Sequence, residues 1–219
     1  MRPLTDHTPK PLLAVAGKPM IEWHIEALAR AGVHEIVVNT AWLESQIVER
    51  LGDGTRFGVQ LQYSMEGRDH GGALETAGGI ATALPWLAST PDDVFWVVSG
   101  DIHAPDFAFD PAVAARFRAQ DRLAHLWLVA NPPYHPEGDF GLGDDGIGLD
   151  GPGPDGQRWT YANIALCRAA LFDGVRPGMR AALGPLLHAG MRARRIGCEH
   201  YSGRWANVGT PEQLAALQA

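Results

Sequence analysis

The apolar run DVFWVVSGD, residues 93–101, constrains the fold more than any other stretch of the chain. Its apolar core followed by a serine, a glycine and an aspartate predicts a strand that is buried on both faces and ends at Asp101. Ligands of open α/β sheets bind at the carboxyl ends of such strands, and a carboxylate there can hold Mg²⁺. From the residues alone, Asp101 is either such a ligand or a turn residue that caps the next segment.

Helical and strand-like patterns alternate on both sides of this run. Apolar periodicity predicts helices over residues 19–31, 43–51, 74–87 and 111–119, and strands over residues 36–38, 58–64 and 124–132. Residues 64–73, SMEGRDHGGA, are predicted to form a loop. Because helices and strands alternate, the sequence predicts an α/β fold with a mostly parallel sheet.

The second half of the chain has a different pattern. Residues 132–158 are rich in Gly, Pro and Asp, which suits loops and short antiparallel strands over the open end of the sheet. Beyond them we expect strands over residues 158–167 and within 192–201, and helices over residues 180–189 and 211–217, the last with Thr210 as N-cap. We find no repeat and no linker, so we expect one domain over residues 1–219.

Charge and composition exclude several classes of function. The formal net charge of −7 argues against a nucleic-acid-binding protein, which would present a basic face. No apolar run approaches 18 residues and the first residues are polar, so we expect neither a membrane span nor a signal peptide. The only cysteines, Cys167 and Cys198, suggest neither a disulfide framework nor a zinc site and favour the reducing cytoplasm.

The first stretch, MRPLTDHTPKPLL, carries a candidate phosphate ligand. Its prolines predict a stiff, extended segment that is neither helix nor strand. Lys10 stands between Pro9 and Pro11, so its backbone is restricted and its side chain can be aimed at a fixed point. Lysine binds phosphate as a point charge, although a solvated surface lysine is the simpler interpretation.

Three further stretches hold candidates, each with a simpler structural alternative. In LETAGGI, residues 74–80, Thr76 can cap a helix and the glycine pair permits close approach of an anion or a planar ring. In RWANVGT, residues 204–210, Asn207 offers an amide oxygen to a metal or forms a turn. GDFG, residues 138–141, is a substrate loop or an ordinary glycine turn. The histidines form no zinc-hydrolase pattern.

Taken together, these motifs resemble the sugar-1-phosphate nucleotidyltransferases. The opening RPLTDHTPKPLLAVAGKPMIEWHIEALARAGVHEIVVN is similar to the start of that family, and LETAGGI, SGD and WANVGT follow in the family order. Within the family the chain is most similar to the enzymes that use N-acetylmuramate 1-phosphate in bacterial cell-wall recycling. The resemblance implies a three-layer, Rossmann-like mixed sheet and Mg²⁺-dependent transfer of a uridylyl group from UTP to a sugar 1-phosphate.

The resemblance also implies a role for each matching residue. Lys10 would contact the phosphates, Asp101 would bind the catalytic Mg²⁺, and Asn207 would be the second protein ligand of that ion. The residues expected near the nucleotide base are Glu75, Thr76 and Gly79. The residues expected near the sugar phosphate and sugar are Ser99, Asp139 and Asn163.

Three departures from the family pattern bear on these expectations. The family's Gly-rich loop, its arginine and its first strand precede the position of Met1, so we expect Met1 to match an internal methionine of a longer protein. The loop before LETAGGI is longer than in relatives, and Ser99 replaces an asparagine of near relatives. Two alternatives therefore stay open: a mannose-1-phosphate guanylyltransferase or another sugar-nucleotide pyrophosphorylase, and an inactive nucleotide-binding or regulatory protein without turnover. We expect the chain to be a monomer.

Overall fold

Helices and strands occur throughout residues 1–218, the part of the chain that the computed structural model describes. The helices are α1 (Leu4–His7), α2 (Met20–Arg30), α3 (Glu44–Leu51), α4 (Glu66–His70), α5 (Glu75–Leu87), α6 (Pro111–Arg118), α7 (Gly184–Arg192) and α8 (Pro211–Ala216). The strands are β1 (Ala14–Val15), β2 (Lys18–Pro19), β3 (Glu35–Thr40), β4 (Gln60–Met65), β5 (Val94–Val98), β6 (Ile102–His103), β7 (Ala124–Val129), β8 (Gly141–Leu142), β9 (Gly148–Leu149), β10 (Thr160–Arg168), β11 (Ile196–His200) and β12 (Ala206–Asn207).

The longer strands form two separate groups. Four of them make one sheet in the order β11-β7-β10-β5, and β3 pairs with β4 alone. Strand β10 runs antiparallel to both β5 and β7, whereas β11 is parallel to β7 and β3 is parallel to β4. The predicted α/β fold with a mixed sheet is confirmed. The longer pairings divide evenly between parallel and antiparallel, instead of being mostly parallel as predicted, because β10 returns antiparallel between β5 and β7.

Helices cover both faces of the four-stranded sheet. On β5, Phe95 packs in one apolar cluster with Ile80 of α5, and its neighbour Trp96 packs in another with Leu28 of α2 and Phe117 of α6. Successive strand residues point to opposite faces, so α5 lies on one face and α2 and α6 on the other. The chain therefore forms three layers, with the sheet in the middle.

Most predicted helices and strands are confirmed with shifted ends, and four local predictions are wrong. The first stretch is not devoid of helix: α1 and a 3-10 helix, Lys10–Leu12, lie within it. Proline fits there because Pro11 occupies the first turn, where its missing N–H is no loss. Thr76 does not cap α5, because the helix begins one residue earlier and Leu74 takes the N-cap position.

The predicted loop over residues 64–73 also contains structure. Its first two residues extend β4, and residues 66–70 form α4. The Glu44 carboxylate accepts hydrogen bonds from the backbone N–H groups of Gly67 and Arg68 at 2.8 and 3.1 Å. A side chain that is distant in sequence thus satisfies backbone N–H groups in the first turn of a short helix. No local sequence pattern predicts this contact.

Strand β5 is not buried as the sequence predicts. Only Phe95 is buried, and the other four residues of the strand are partly exposed. The reason is its position at the edge of the four-stranded sheet, where β10 pairs with one side and no strand of residues 1–218 pairs with the other.

Candidate functional site

An ion pair at the carboxyl end of β5 marks the candidate site. The Nζ of Lys10 lies 2.6 Å from Oδ2 of Asp101, and both side chains are about one-third exposed. A partly exposed pair of this kind adds little to stability, about 0–1 kcal/mol. Its main effect is to hold a cation and a carboxylate at one point on the sheet edge, within reach of a ligand.

Backbone contacts fix the two chain segments that carry this pair. A Cβ on Gly100 would lie 3.2 Å from Cβ and Cγ of Pro11, so the glycine lets the Lys10–Pro11 segment approach the end of β5 closely. On the other side, the Val208 N–H donates to the carbonyl of Asp101 at 3.0 Å. Asp101 is thus held between the first and last parts of the chain.

Asn207 lies beside Asp101 and presents an orphaned oxygen. In the antiparallel pair of β12 and β6 it stands opposite Ile102, the residue after Asp101. Its Oδ1 is buried and has no hydrogen-bond partner among the described residues. A carboxylate and an amide oxygen are the hard ligands that Mg²⁺ prefers, often with waters completing the shell. Asp101 and Asn207 therefore fit a divalent cation, although residues 1–218 contain no cluster of three or more His, Cys, Asp or Glu suited to a metal.

His24, on α2, contacts the backbone directly after Asp101, at the start of β6. Its Nε2 lies 2.9 Å from the carbonyl of Ile102, and the ring is only 4% exposed. Burial lowers the pKa of His24 to about 4, so the ring is neutral near pH 7 and donates to that carbonyl through Nε2–H. No sequence pattern predicts this contact, because a histidine on an amphipathic helix looks like a flanking polar residue.

The start of α5 forms a second side of the site. Glu75 adopts a positive φ of 60°, which aims the first turn of the helix, and its carboxylate pairs with Nε of Arg180 at 2.8 Å. Thr76 is exposed beside it. Gly79 faces away from solvent: a Cβ there would lie 2.3 Å from Oε1 of Glu66 and 2.6 Å from Nδ2 of Asn39.

Strand β10 aims further polar groups at the same edge. Its register with β7 shifts between Tyr161 and Ala165, and within this bulge Asn163 adopts a positive φ of 58°. The Asn163 carbonyl accepts from the Ser99 N–H at 3.1 Å, which ties the bulge to the end of β5. Bulges and left-handed residues of this kind often serve to re-aim a side chain at a functional site.

Asp139 is held in a separate network. Its carboxylate accepts from the Tyr161 N–H at 2.7 Å and lies 3.1 Å from Nε2 of His135. The Arg158 guanidinium donates to the Asp139 carbonyl at 3.3 Å. Asp139 therefore joins the site only through β10.

One cleft gathers more than half of the predicted site residues. A cavity of about 1180 Å³ is lined by Lys10, Glu75, Thr76, Ser99 and Asp101. Gly79, Asp139, Asn163 and Asn207 do not line this cavity and stand around it. Three residues that the sequence did not single out, His24, Glu66 and Arg180, each contact a predicted residue or its neighbour.

A mixed α/β sheet with a lysine, an aspartate and an orphaned amide oxygen near strand ends defines the class: an α/β protein with a polar cleft at the carboxyl end of a sheet strand. A sequence model of the family "Nucleotidyl transferase" matches residues 1–145. The chain belongs to the nucleotidyl transferase family.

Curated relatives support this assignment. The chain is 46% identical over 220 residues to the N-acetylmuramate alpha-1-phosphate uridylyltransferase of Neisseria meningitidis serogroup B, and this match covers 100% of the chain and 92% of the relative. It is 38% identical over 106 residues to the UTP–glucose-1-phosphate uridylyltransferase of a Synechocystis strain, which covers 46% of the chain and 27% of that relative.

Solved structures show the same fold. A glucose-1-phosphate thymidylyltransferase candidate from Bacillus anthracis, crystallised with sucrose, superposes with a TM-score of 0.81 at 20% identity, covering 100% of this chain and 88% of that one. HddC from Yersinia pseudotuberculosis, complexed with GMP-PN, gives a TM-score of 0.72 at 14% identity, covering 99% and 92% of the two chains. At these identities the similarity concerns the fold alone.

Proposed function

We propose that the protein transfers a uridylyl group from UTP to a sugar 1-phosphate, N-acetylmuramate 1-phosphate, and releases pyrophosphate. The product would be a UDP-sugar used in cell-wall recycling. The observation that carries the proposal is the Lys10–Asp101 pair with the orphaned Asn207 oxygen beside it. The near-full-length similarity to an N-acetylmuramate alpha-1-phosphate uridylyltransferase supports the choice of base and sugar.

In this proposal the reaction needs little covalent chemistry from the protein. A phosphate oxygen of the sugar phosphate attacks the α-phosphorus of UTP, and pyrophosphate leaves. The nucleophile is anionic near neutral pH, so no general base is required, and catalysis rests on alignment and on offsetting charge. Lys10, held by its 3-10 turn, would supply one positive charge to the phosphates.

Asp101 and Asn207 would hold a divalent cation, and we propose Mg²⁺. When bound, such an ion neutralises charge on phosphate oxygens and orients them. The protein's contribution is the fixed backbone of the two ligands: β6 and β12 pair at Ile102 and Asn207, and His24 holds the Ile102 carbonyl. A neutral His24 adds no competing positive charge beside the cation site.

The remaining predicted residues would set selectivity. Glu75, Thr76 and Gly79, in the first half of α5, would lie near the base. The absence of a side chain at Gly79 lets Glu66 and Asn39 pack against the helix. At the other side the residues proposed to approach the sugar phosphate and sugar are Ser99, Asp139 and Asn163.

We also propose a setting for this activity. The whole chain would act as one domain and as a monomer in the cytoplasm. Cys167 and Cys198 are both buried thiols with no disulfide, which suits a reducing compartment. No helix within residues 1–218 is long and apolar enough to cross a membrane.

Pyrophosphate release measured over a panel of nucleoside triphosphates and sugar 1-phosphates, with and without Mg²⁺, tests the proposal. We expect the highest kcat/KM for UTP with N-acetylmuramate 1-phosphate. Preference for GTP with mannose 1-phosphate would replace the proposed substrates. A thermal shift with UTP but no pyrophosphate with any sugar phosphate would show a binding protein without turnover.

A matched pair of lysine variants locates the chemistry. Lys10→Met should lower kcat by about 10²–10³, by analogy with the loss of one charge-stabilising donor. Lys18→Met is the control, because Lys18 pairs with Glu26 and covers Trp23 outside the cleft. Equal rates for the two variants would remove Lys10 from the mechanism.

A further inference from the structure

An arginine from the segment between β10 and α7 reaches the start of α5. Nε of Arg180 lies 2.8 Å from Oε1 of Glu75, and the two side chains are 74% and 39% exposed, so a ligand has access to both. Nε uses a single donor of the guanidinium, and the Nη atoms carry the rest. Because Glu75 lines the cleft, a carboxylate and several N–H donors lie side by side at its edge.

Backbone contacts fix the segment that carries Arg180. The Ala181 carbonyl accepts from the Gly78 N–H at 3.0 Å, directly after the arginine. Before the arginine, the Gly178 N–H donates to Oγ1 of Thr82 at 2.9 Å. The segment is therefore bound to α5 on both sides of Arg180, and the guanidinium starts from a fixed point beside the first turn of the helix.

Glu75 has a backbone conformation that favours glycine. Its φ of 60° lies in the left-handed region, where a residue with a Cβ is strained. The ion pair with Arg180 offsets little of this strain, because exposed pairs contribute little to stability. Folding alone therefore gives no reason for a glutamate at this position. Strained residues of this kind cluster at ligand-binding positions, which directs attention to what the carboxylate binds.

The hydrogen-bonding groups of the pair match one kind of nucleotide base. A carboxylate only accepts hydrogen bonds, and a guanidinium only donates them. Uracil presents an N–H at N3 beside the carbonyl oxygen O4, so it complements the pair at both atoms. Cytosine presents a bare N3 beside an amino group, so it opposes the pair at both atoms. Guanine has the same order as uracil, and the pair therefore selects a type of base edge and not a ring size.

We propose that Arg180 determines base specificity by reading, together with Glu75, an N–H next to a carbonyl on the nucleotide base. Oε2 of Glu75 accepts from N3–H of uracil. An Nη atom of Arg180 donates to O4, while Nε keeps its bond to Oε1 of Glu75. This inference rests on the proposed function, in which Glu75 lies near the base. It adds a residue and a rule of selection, by which the protein binds UTP in preference to CTP.

Equilibrium binding measures this selection without turnover. Isothermal titration of the full chain with UTP and with CTP, both in Mg²⁺, gives the ratio of the two dissociation constants. We expect the parent chain to bind UTP at least about tenfold more tightly than CTP, which is the discrimination typical of hydrogen bonds to a base edge. Arg180→Met and Glu75→Gln should each lower that ratio at least about fivefold. Glu75→Gln acts because an amide, unlike a carboxylate, can donate to N3 of cytosine.

The ratio distinguishes base reading from a purely structural role. A variant that only loosens α5 weakens the binding of both nucleotides equally, and equal losses would overturn the proposal. A parent chain that binds UTP and CTP equally, or binds neither, would overturn it as well. If Glu75→Gln fails to fold, Glu75→Gly serves in its place, because glycine adopts a positive φ without strain and removes the carboxylate.

A matched control and a second readout complete the test. Arg192→Met removes a similarly exposed arginine, which pairs with Asp150 at 2.7 Å on α7, and should leave the ratio unchanged. An equal drop in that variant would show a general effect of charge and would count against Arg180. Pyrophosphate release reports on the proposed function separately. A chain that selects UTP through Arg180 but releases no pyrophosphate with any sugar phosphate would refute the transfer reaction and support the base reading.

Discussion

Gly78, inside α5, is the position where a single methyl group should have the largest calculable effect. An added Cβ would lie 2.1 Å from the carbonyl oxygen of Met179 and 3.0 Å from the backbone nitrogen of Ala181. Both are backbone atoms that cannot swing aside. Two hydrogen bonds also join this segment to α5: the Gly78 N–H donates to the Ala181 carbonyl at 3.0 Å, and the Ala181 N–H donates to the Leu74 carbonyl at 2.9 Å.

The magnitude for Gly78→Ala follows from two opposing contributions to the free energy of unfolding. Alanine has a helix propensity better than glycine by about 1 kcal/mol. Overpacking against fixed atoms costs about 1–3 kcal/mol, and a contact as short as this one belongs at the upper end. We therefore expect a net loss of about 1–2 kcal/mol, which lowers Tm by roughly 2–8 °C in a chain of this size.

Differential scanning calorimetry on two variants decides the matter. Gly184→Ala is the control, because Gly184 also lies in a helix but has no atom within 4 Å of its added Cβ. It should leave Tm unchanged or raise it slightly. UTP affinity gives a second readout, because moving residues 179–181 shifts Arg180 away from Glu75. A Tm for Gly78→Ala at or above that of the control would refute the reasoning.

Three further predictions concern stability. The pKa of His24 is about 4 in the folded chain against 6.5 in the unfolded chain, so the unfolded chain binds the extra proton, and the free energy of unfolding falls as pH drops from 6.5 toward 4, by about 2 kcal/mol at pH 5. Urea titrations of His24→Gln should show a smaller pH dependence of stability, and an identical dependence would contradict the assignment. Asn163→Gly should fold as well as the parent while Asn163→Ala loses about 1 kcal/mol, because of the positive φ; equal Tm values would argue that the bulge relaxes. Thr210→Ala removes the capping box of α8 and should cost about 0.5–2 kcal/mol by chemical denaturation, with Thr210→Ser as a control that keeps the cap, so that equal loss in both would point to packing instead.

Local patterns in the sequence predicted the elements that local chemistry determines. Apolar periodicity located α2, α5 and β7, and Thr210 caps α8 as its position suggested. The elements that were missed depend on distant partners. Helix α4 is capped by Glu44 from another helix, and no neighbouring residue signals that contact.

The candidate site shows the same division. Asp101 could be found because a carboxylate after an apolar strand falls at the edge where α/β sheets bind ligands. That Lys10 belongs to the same site followed only from the family resemblance, since the two residues are far apart in sequence, and their direct ion pair was not predicted. His24 and Arg180 act through contacts across the fold, and their positions in the sequence are those of ordinary helix and loop residues.

The Lys10–Asp101 pair has a consequence for the order in which ligands arrive. The two side chains neutralise each other, so a cation that binds alone at Oδ2 of Asp101 must displace the Lys10 ammonium group. A phosphate that binds alone at Nζ of Lys10 must likewise displace the Asp101 carboxylate. A cation and a polyphosphate that arrive together exchange both partners at once and leave no charge stranded. Under the proposed function, the ion pair would therefore favour binding of the metal–nucleotide complex over binding of either component alone.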